Sequence, residues 1–355
     1  MLFRRSIHSV AGIISLMLIL PLLFMSLASS ALSPDLRDVT YCIADGIDLK
    51  MDIYFPSATW GKPRPATVYV HGGAWIGGDK RDGAGILEIP ELLLRGYVVA
   101  AINYRLAPKY KFPAQIEDLK CAIRSLRANA ATYRIDPDRI GVWGGSAGGH
   151  LVSLLGLTDR SAGFDIGQHL DQSSRVQAVI DYFGPSNLTD FLSSSLPQLL
   201  TVFGSKEGLR KASPVAYITS DDPPFLIVHG ELDTLVPPEQ SQELYRKLTA
   251  AGVQATLVMV KNAGHGFRPV VGPISPSRAE ITKMTADFFD KHLQRNETQT
   301  SVTQTGTSQA LQTQTLSPTT TIRPLLTRPW VFAVVSIVVA VALIVSVIVI
   351  SRRRK

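Results

Sequence analysis

Cysteine is scarce in this sequence. The 355 residues contain two, Cys42 and Cys121, and their spacing is not that of a metal site. We therefore predict no metal and no other cofactor. Cys42 lies in a predicted strand and Cys121 in a predicted helix, so two alternatives stay open. In an exported protein the two residues pair as a disulfide, or they remain separate buried thiols.

The central part of the chain also lacks an excess of basic over acidic residues, although the formal net charge of the whole sequence is +7. Removing eight terminal basic residues from the 36 Lys and Arg leaves 28, against 29 Asp and Glu. These eight are Arg4, Arg5, Arg323, Arg328, Arg352, Arg353, Arg354 and Lys355. The near-neutral remainder lacks the basic surface of a nucleic-acid-binding protein, so we predict no nucleic-acid partner.

The first 31 residues have the pattern of a secretory signal peptide. Two arginines precede an apolar run, Val10–Leu27, and small residues follow it. We predict a signal peptide over residues 1–31, with an uncleaved anchor as the alternative. The protein is then expected to be exported.

A second long apolar run, Trp330–Ile350, contains no charged residue and no proline. A helix of this length spans about 30 Å, the thickness of the hydrocarbon core of a bilayer. We predict a transmembrane helix over 329–351, with a buried core helix as the alternative. The basic residues 352–355 then form a cytoplasmic tail, and the chain between the two apolar runs lies outside the cell as part of a single-pass membrane protein.

The remaining chain divides into a folded domain and a stalk. Residues 295–328 are rich in Thr, Ser and Gln and show no apolar periodicity, which predicts a flexible linker. Residues 32–294 are long enough to form one domain with a sizeable core. They contain no internal repeat.

Short apolar strands alternate with amphipathic helices throughout residues 32–294. Two strands flank Asp45-Gly46, a dipeptide typical of a hairpin turn. The later strands are almost wholly apolar, which is typical of parallel strands buried on both faces. We predict an α/β domain with a mostly parallel sheet, antiparallel entry strands and helices on both faces.

Ser146 is the candidate nucleophile. It lies in "GVWGGSAGGH", between a predicted strand and a predicted helix, in the pattern Gly144-x-Ser146-x-Gly148. A serine hydroxyl becomes reactive when a sharp turn exposes it and a base removes its proton. The alternatives are a glycine-rich turn that only packs and a phosphate-binding loop.

His265 is the candidate base, because a flexible Gly-His-Gly loop can bring an imidazole to the serine and histidine titrates near neutral pH. Asp233, in "HGELDTLVP", is the candidate carboxylate that orients it. Glu231 and Asp181 are its rivals, and His150 is interpreted as structural.

The segment "HGGAW", which starts at His71, completes the predicted site. Gly72 and Gly73 follow a buried strand, and their backbone N–H groups can approach a developing oxyanion closely. The N–H of Ala147 is predicted to act from the other side. Trp75 and Tyr182, the aromatic residues of "HGGAW" and "DYFGP", are predicted to contact substrate.

These motifs together resemble the α/β-hydrolase fold, over about residues 36–294. Within this superfamily the sequence is most similar to the carboxylesterase branch that has an H-G-G-x-W loop. That branch includes hormone-sensitive-lipase-like esterases and the feruloyl and acetylxylan esterase type. The sequence departs from the lipase-type H-G-G-G loop at Ala74.

The resemblance implies a serine hydrolase with Ser146, Asp233 and His265 as its triad. Its expected substrates are short-acyl or aryl esters, either small molecules or esters attached to polysaccharide. Arylformamidases share this loop, so an aryl amide is an alternative substrate. A prolyl-oligopeptidase-like peptidase and a non-catalytic binding domain are further alternatives.

Overall fold

The computed structural model describes residues 32–57, 61–190 and 196–294, which belong to one compact unit. The predicted signal peptide (1–31), stalk (295–328), transmembrane helix (329–351) and basic tail (352–355) lie outside the described residues. Within the described ranges, no helix combines the length and apolar character needed to cross a membrane.

The domain is built on one eight-stranded sheet with the strand order β1-β2-β4-β3-β5-β6-β7-β8. Strands β1, β2 and β4 pair antiparallel, whereas the pairs from β4 through β3 to β8 are parallel. The strands are β1 (Leu36–Ala44), β2 (Ile47–Tyr54), β3 (Arg64–Val70), β4 (Val98–Ile102), β5 (Ile135–Gly145), β6 (Ala178–Tyr182), β7 (Phe225–Gly230) and β8 (Ala255–Val260). This confirms the predicted α/β class and the antiparallel entry.

Helices connect the strands and cover both faces of the sheet. The α-helices of the described ranges are α1 (Ile89–Leu94), α2 (Ala114–Ala128), α3 (Ala130–Tyr133), α4 (Ala147–Gly156), α5 (Leu196–Phe203), α6 (Lys206–Ala212), α7 (Glu239–Ala250) and α8 (Arg278–Leu293). Short 3₁₀ turns occur at Ala84–Glu88, Arg160–Ala162, Pro214–Ala216 and His265–Phe267.

Two hydrophobic clusters fill the space on either side of the sheet. Helices α2, α4 and α7 contribute Leu119, Leu151 and Leu244 to one cluster. Helices α1 and α8 contribute Leu92 and Phe289 to the other. Because strand side chains alternate between the faces, a parallel strand must be apolar at nearly every position to serve both clusters.

A disulfide joins Cys42 of β1 to Cys121 of α2, across 79 residues of sequence. The packing of α2 against the edge strand brings the two Cα atoms to 6.4 Å, within the range that a disulfide can bridge. This settles the alternative that the sequence left open.

The parallel strands β3, β5, β6, β7 and β8 are neighbours, so their carboxyl ends meet at one edge of the sheet. His71 directly follows β3 and Ser146 directly follows β5, while Asp233 and His265 lie in the loops after β7 and β8. The fold thus gathers residues that are far apart in sequence at the place where α/β sheets form their sites.

Candidate active site

Ser146 occupies a strained turn between β5 and α4. Its φ is 59° and its ψ is −121°, a conformation that non-glycine residues rarely adopt. The turn is held by a hydrogen bond from Ser146 N–H to the carbonyl oxygen of Tyr182, at 2.9 Å. A Cβ atom at Gly148 would lie 2.1 Å from the carbonyl oxygen of Val70, so only glycine allows this close approach.

The half-buried Ser146 opens onto a cavity of about 750 Å³ at the carboxyl ends of the strands. Side chains and backbone from several of the predicted loops line this cavity. They include Gly72, Gly73, Ser146, Phe183, His265 and Arg268. The structure therefore brings the predicted nucleophile, base and glycine loop to one cavity.

His265 and Asp233 form a hydrogen bond, with 2.7 Å between His265 Nδ1 and Asp233 Oδ2. The other carboxylate oxygen, Asp233 Oδ1, accepts from the backbone N–H groups of Leu235 at 2.9 Å and Val236 at 3.0 Å. The carboxylate is thus fixed in position and directed at one ring nitrogen. Such a bond selects the tautomer that leaves Nε2 free to accept a proton.

Asp233 is held in its ionised form. Burial alone would raise the pKa of this carboxyl, but contacts from His229 and His265 and the amide of Val236 outweigh burial and keep the pKa well below its usual range. The ring of His229 is fully buried, with Nε2 3.4 Å from Asp233 Oδ2. It therefore packs under the loop that carries Asp233.

The glycine loop runs beside the nucleophile. A Cβ atom on Gly72 would lie 3.4 Å from the Cβ of Ser146, and Gly73 has a φ of +108°, which favours glycine. Within the described residues, the backbone N–H groups of Gly72, Gly73 and Ala147 donate no hydrogen bond. They remain free to donate to a bound group.

Trp75 does not line the cavity, which corrects the prediction that it contacts substrate. Only 5% of it is exposed, because its ring packs against Phe203 with 4.9 Å between ring centroids. Its indole N–H donates to His150 Nδ1 at 3.1 Å, and His150 Nε2 donates to the carbonyl oxygen of Ala212 at 2.7 Å. Trp75 and His150 thus form a structural pair beneath the glycine loop.

Tyr182 is also buried, so its predicted contact with substrate is corrected as well. Its ring is fully inaccessible, and its hydroxyl bonds to Glu88 at 3.1 Å and to Thr285. The neighbouring residue Phe183 lines the cavity instead. Its ring meets that of His265 edge to face at 4.8 Å.

Asp181 and Glu231, the two other carboxylates considered as partners of His265, do not line the cavity. Asp181 is fully buried, its Oδ1 accepts from the N–H of Gly184 at 2.8 Å, and burial raises its pKa to about 6. Glu231 is exposed. In the described part of the chain, no group of three or more His, Cys, Asp and Glu residues is arranged to hold a metal ion.

A protein-family model described as BD-FAE matches residues 51–248, more than half of the sequence. The chain belongs to the BD-FAE family. The resemblance to the carboxylesterase branch of the α/β-hydrolases is thereby confirmed. Esterase LipC of Mycobacterium tuberculosis is 34% identical over 218 residues, which are 58% of this chain and 54% of that protein. The chain spans about half the length of the first curated relatives it matches.

Solved structures of esterases are similar to this fold. A truncated carbohydrate esterase from gut microbiota is 30% identical, with a TM-score of 0.64, over 74% of this chain and 98% of that one. An esterase from Thermogutta terrifontis with bound butyrate is 28% identical, with a TM-score of 0.61, over 71% of this chain and 92% of that one. These similarities show the α/β-hydrolase fold.

Proposed function

We propose that this protein is a serine carboxylesterase that cleaves short-acyl or aryl esters through an acyl-enzyme. The observation that carries the proposal is the hydrogen bond of 2.7 Å between His265 and Asp233, on a base that shares one cavity with Ser146. Family membership and the esterases among the relatives support the same reaction.

In the first half of the reaction, Ser146 Oγ attacks the carbonyl carbon of the ester while His265 Nε2 takes its proton. Asp233 accepts from His265 Nδ1 and, as an ionised carboxylate, stabilises the imidazolium that forms. The imidazolium then gives the proton to the leaving alkoxide. The alcohol departs and the acyl group stays on Ser146.

The negative oxygen of the tetrahedral intermediate is stabilised by backbone N–H groups. Gly72 and Gly73 supply them from one side and Ala147, at the start of α4, from the other. Each such donor typically lowers the barrier by about 3 to 4 kcal/mol. In the second half, water attacks the acyl group while His265 takes a proton from the water, and the imidazolium then returns this proton to Ser146 Oγ as the acid leaves.

The substrate class follows from the relatives and from the cavity. One solved relative is described as a carbohydrate esterase, and another holds butyrate. A wall that combines glycine backbone with the Phe183 ring accommodates a small acyl group. We propose short acyl esters, including acyl groups attached to carbohydrate.

The cellular location is a separate part of the proposal. The predicted signal peptide and apolar segment 329–351 suggest a single-pass protein whose catalytic domain faces outward. Fractionation of cells that express the full chain tests this: the protein should resist extraction by alkaline carbonate and be degraded by protease added to intact cells. Release into the carbonate supernatant would contradict it.

The activity is tested by p-nitrophenyl acetate hydrolysis with the full chain in detergent. Ser146→Ala should lower kcat by at least about 10³-fold, whereas Ser57→Ala, at an exposed serine, should match the wild type. Equal rates for Ser146→Ala and wild type would reject the mechanism. Turnover of an N-formyl aryl amide without turnover of esters would favour the arylformamidase alternative.

A further inference from the structure

Arg268 lies on the wall of the catalytic cavity and has no side-chain partner among the residues that the structure describes. It lies three residues after His265 in the same loop, and it is exposed. Its backbone is fixed, since its carbonyl oxygen accepts from the N–H of Gly264 at 2.8 Å. Its guanidinium forms no hydrogen bond or ion pair with any residue in the described ranges.

Exposed apolar side chains occur on the same cavity wall as Arg268 and directly after it in the chain. Leu235, from the acid loop, lines the cavity and is 61% exposed, while Val270 and Val271 are 58% and 64% exposed. Val270 is close to the base, because its Cγ2 lies 3.0 Å from the position of a Cβ on Gly264. The cavity wall beside His265 therefore combines the apolar side chain of Leu235 with the positive charge of Arg268, and Val270 lies close to it.

We propose that Arg268 selects esters whose leaving group is apolar next to the ester bond and carries a carboxylate further out. This inference rests on the proposed esterase activity and names a substrate class for the same site. A free guanidinium recognises a carboxylate through two parallel hydrogen bonds, which no neutral group of similar shape can replace.

The role of His265 as the base places the leaving group on the side of the cavity where His265 and Arg268 lie. The imidazolium of His265 returns its proton to the leaving oxygen, so that oxygen must lie next to residue 265. A substituent on the leaving group then extends past the loop that carries Arg268. The acyl group lies instead towards the glycine loop, whose N–H groups bind the carbonyl oxygen.

Asp82 is the other ionisable side chain on the cavity wall besides the histidines and Tyr69. It lies in the segment that passes the glycine loop, because a Cβ on its neighbour Gly83 would be 4.0 Å from the N of Gly72. Asp82 is thus an acidic residue on the glycine-loop side of the cavity, whereas Arg268 is a basic residue on the side of His265. The two charges favour one orientation of an acidic ester.

The size of the effect is limited by exposure. A charge pair near a protein surface is screened by water and salt. We therefore expect Arg268 to change the preference for an acidic leaving group by about threefold to tenfold at low ionic strength. The preference should shrink as salt is added.

The test compares two acetate esters of similar size, 4-acetoxybenzoate and 4-acetoxybenzamide, with the full chain in neutral detergent. The measured quantity is the ratio of kcat/KM for the carboxylate to kcat/KM for the amide. Arg268→Gln should lower this ratio about threefold to tenfold, mainly through KM, and Arg268→Lys should retain part of the preference. Arg246→Gln, at an exposed residue of α7, is the matched control and should leave the ratio unchanged.

The failure of this inference differs from the failure of the proposed function. If the wild type hydrolyses both esters but the ratio is the same in Arg268→Gln, or is insensitive to salt, the role of Arg268 is overturned and the esterase remains. If neither ester is hydrolysed faster by the wild type than by Ser146→Ala, the esterase proposal itself fails.

Discussion

At the scale of single residues, the surroundings of the Asp233 carboxylate fix both its position and its charge. It accepts hydrogen bonds from two backbone N–H groups and from the imidazole of His265. Its pKa is held well below its usual range despite burial. It therefore stays ionised at neutral pH. This is the condition under which it can stabilise an imidazolium.

Asp233→Asn should lower kcat by about 10³- to 10⁴-fold with little change in KM, because an amide favours the wrong tautomer of His265. The measurement is p-nitrophenyl acetate hydrolysis at neutral pH. Glu231→Gln, two residues earlier and exposed, is the control and should keep full activity. A loss of less than tenfold in Asp233→Asn would contradict the assignment.

Gly73→Ala should lower kcat by about 10²- to 10³-fold, the typical loss of one oxyanion donor. Its φ of +108° is strained for alanine, and the new Cβ would lie 2.1 Å from the carbonyl oxygen of Gly77, so the loop must move. Gly77→Ala is the matched control, because a Cβ there meets nothing within 4 Å. Equal activity of the two variants would show that the loop conformation is irrelevant to the reaction.

The sequence predicted which loops reach the cavity better than it predicted the directions of side chains. "DYFGP" indicated an aromatic residue near the site, and we predicted Tyr182. Tyr182 and Phe183 both pack in the cluster that contains Trp143, but Phe183, with a φ of +43°, leaves the strand and also borders the cavity. A positive φ at a phenylalanine has no signal in the sequence.

At the scale of elements, Trp75 and His150 link the glycine loop to α4. The indole donates to His150 Nδ1 and His150 donates from Nε2, so both bonds require the neutral ring. Burial lowers the pKa of His150 from its ordinary 6.5 to about 4. Protonation of His150 at acidic pH would therefore break the hydrogen bond from the Trp75 indole.

The sign of the pH effect follows from these two pKa values. Between pH 6.5 and about 4 the unfolded chain binds a proton at His150 and the folded chain does not, so the free energy of unfolding falls as the pH falls. The slope is up to about 1.4 kcal/mol per pH unit. His150→Gln removes this contribution.

Urea unfolding at pH 7.5 and pH 5 checks this expectation. Between these two values, wild type should lose up to about 2 kcal/mol more stability than His150→Gln. The other histidines are the same in both proteins, so any contribution from them cancels in the comparison. Equal losses in the two proteins would contradict the expectation, because they would mean that burial does not lower the pKa of His150.

The strands could be predicted from the sequence because short apolar runs bounded by turn residues are typical of buried strands. Apolar runs such as "ATVYV" and "FLIV" are too short for helices and are buried on both faces, as β3 and β7 are. The order of the strands could be anticipated only in part. The position of Asp233 and His265 on adjacent loops depends on the pairing of β7 with β8, which no local pattern specifies.

At the scale of the whole molecule, the Cys42–Cys121 disulfide ties the antiparallel edge of the sheet to α2. The sequence could not decide between a disulfide and two thiols, because the pairing depends on how α2 packs on β1. A crosslink over 79 residues restricts the unfolded chain strongly.

Replacing both cysteines by serine should lower the free energy of unfolding by about 2 to 5 kcal/mol. The value of kcat should stay within twofold, since neither cysteine lines the catalytic cavity. Urea unfolding with and without dithiothreitol measures the effect: reductant should destabilise the wild type and leave the double variant unchanged. Identical stability of the two oxidised proteins would contradict the expectation.

The central claim is that Ser146 is a nucleophile activated by His265. The most direct measurement is labelling of the full chain with a fluorophosphonate, followed by mass spectrometry of the peptides. The account predicts one adduct, on Ser146, in the wild type and labelling at least about 10²-fold slower in His265→Gln. An adduct on another residue, or equal labelling of Ser146 in both proteins, would contradict it.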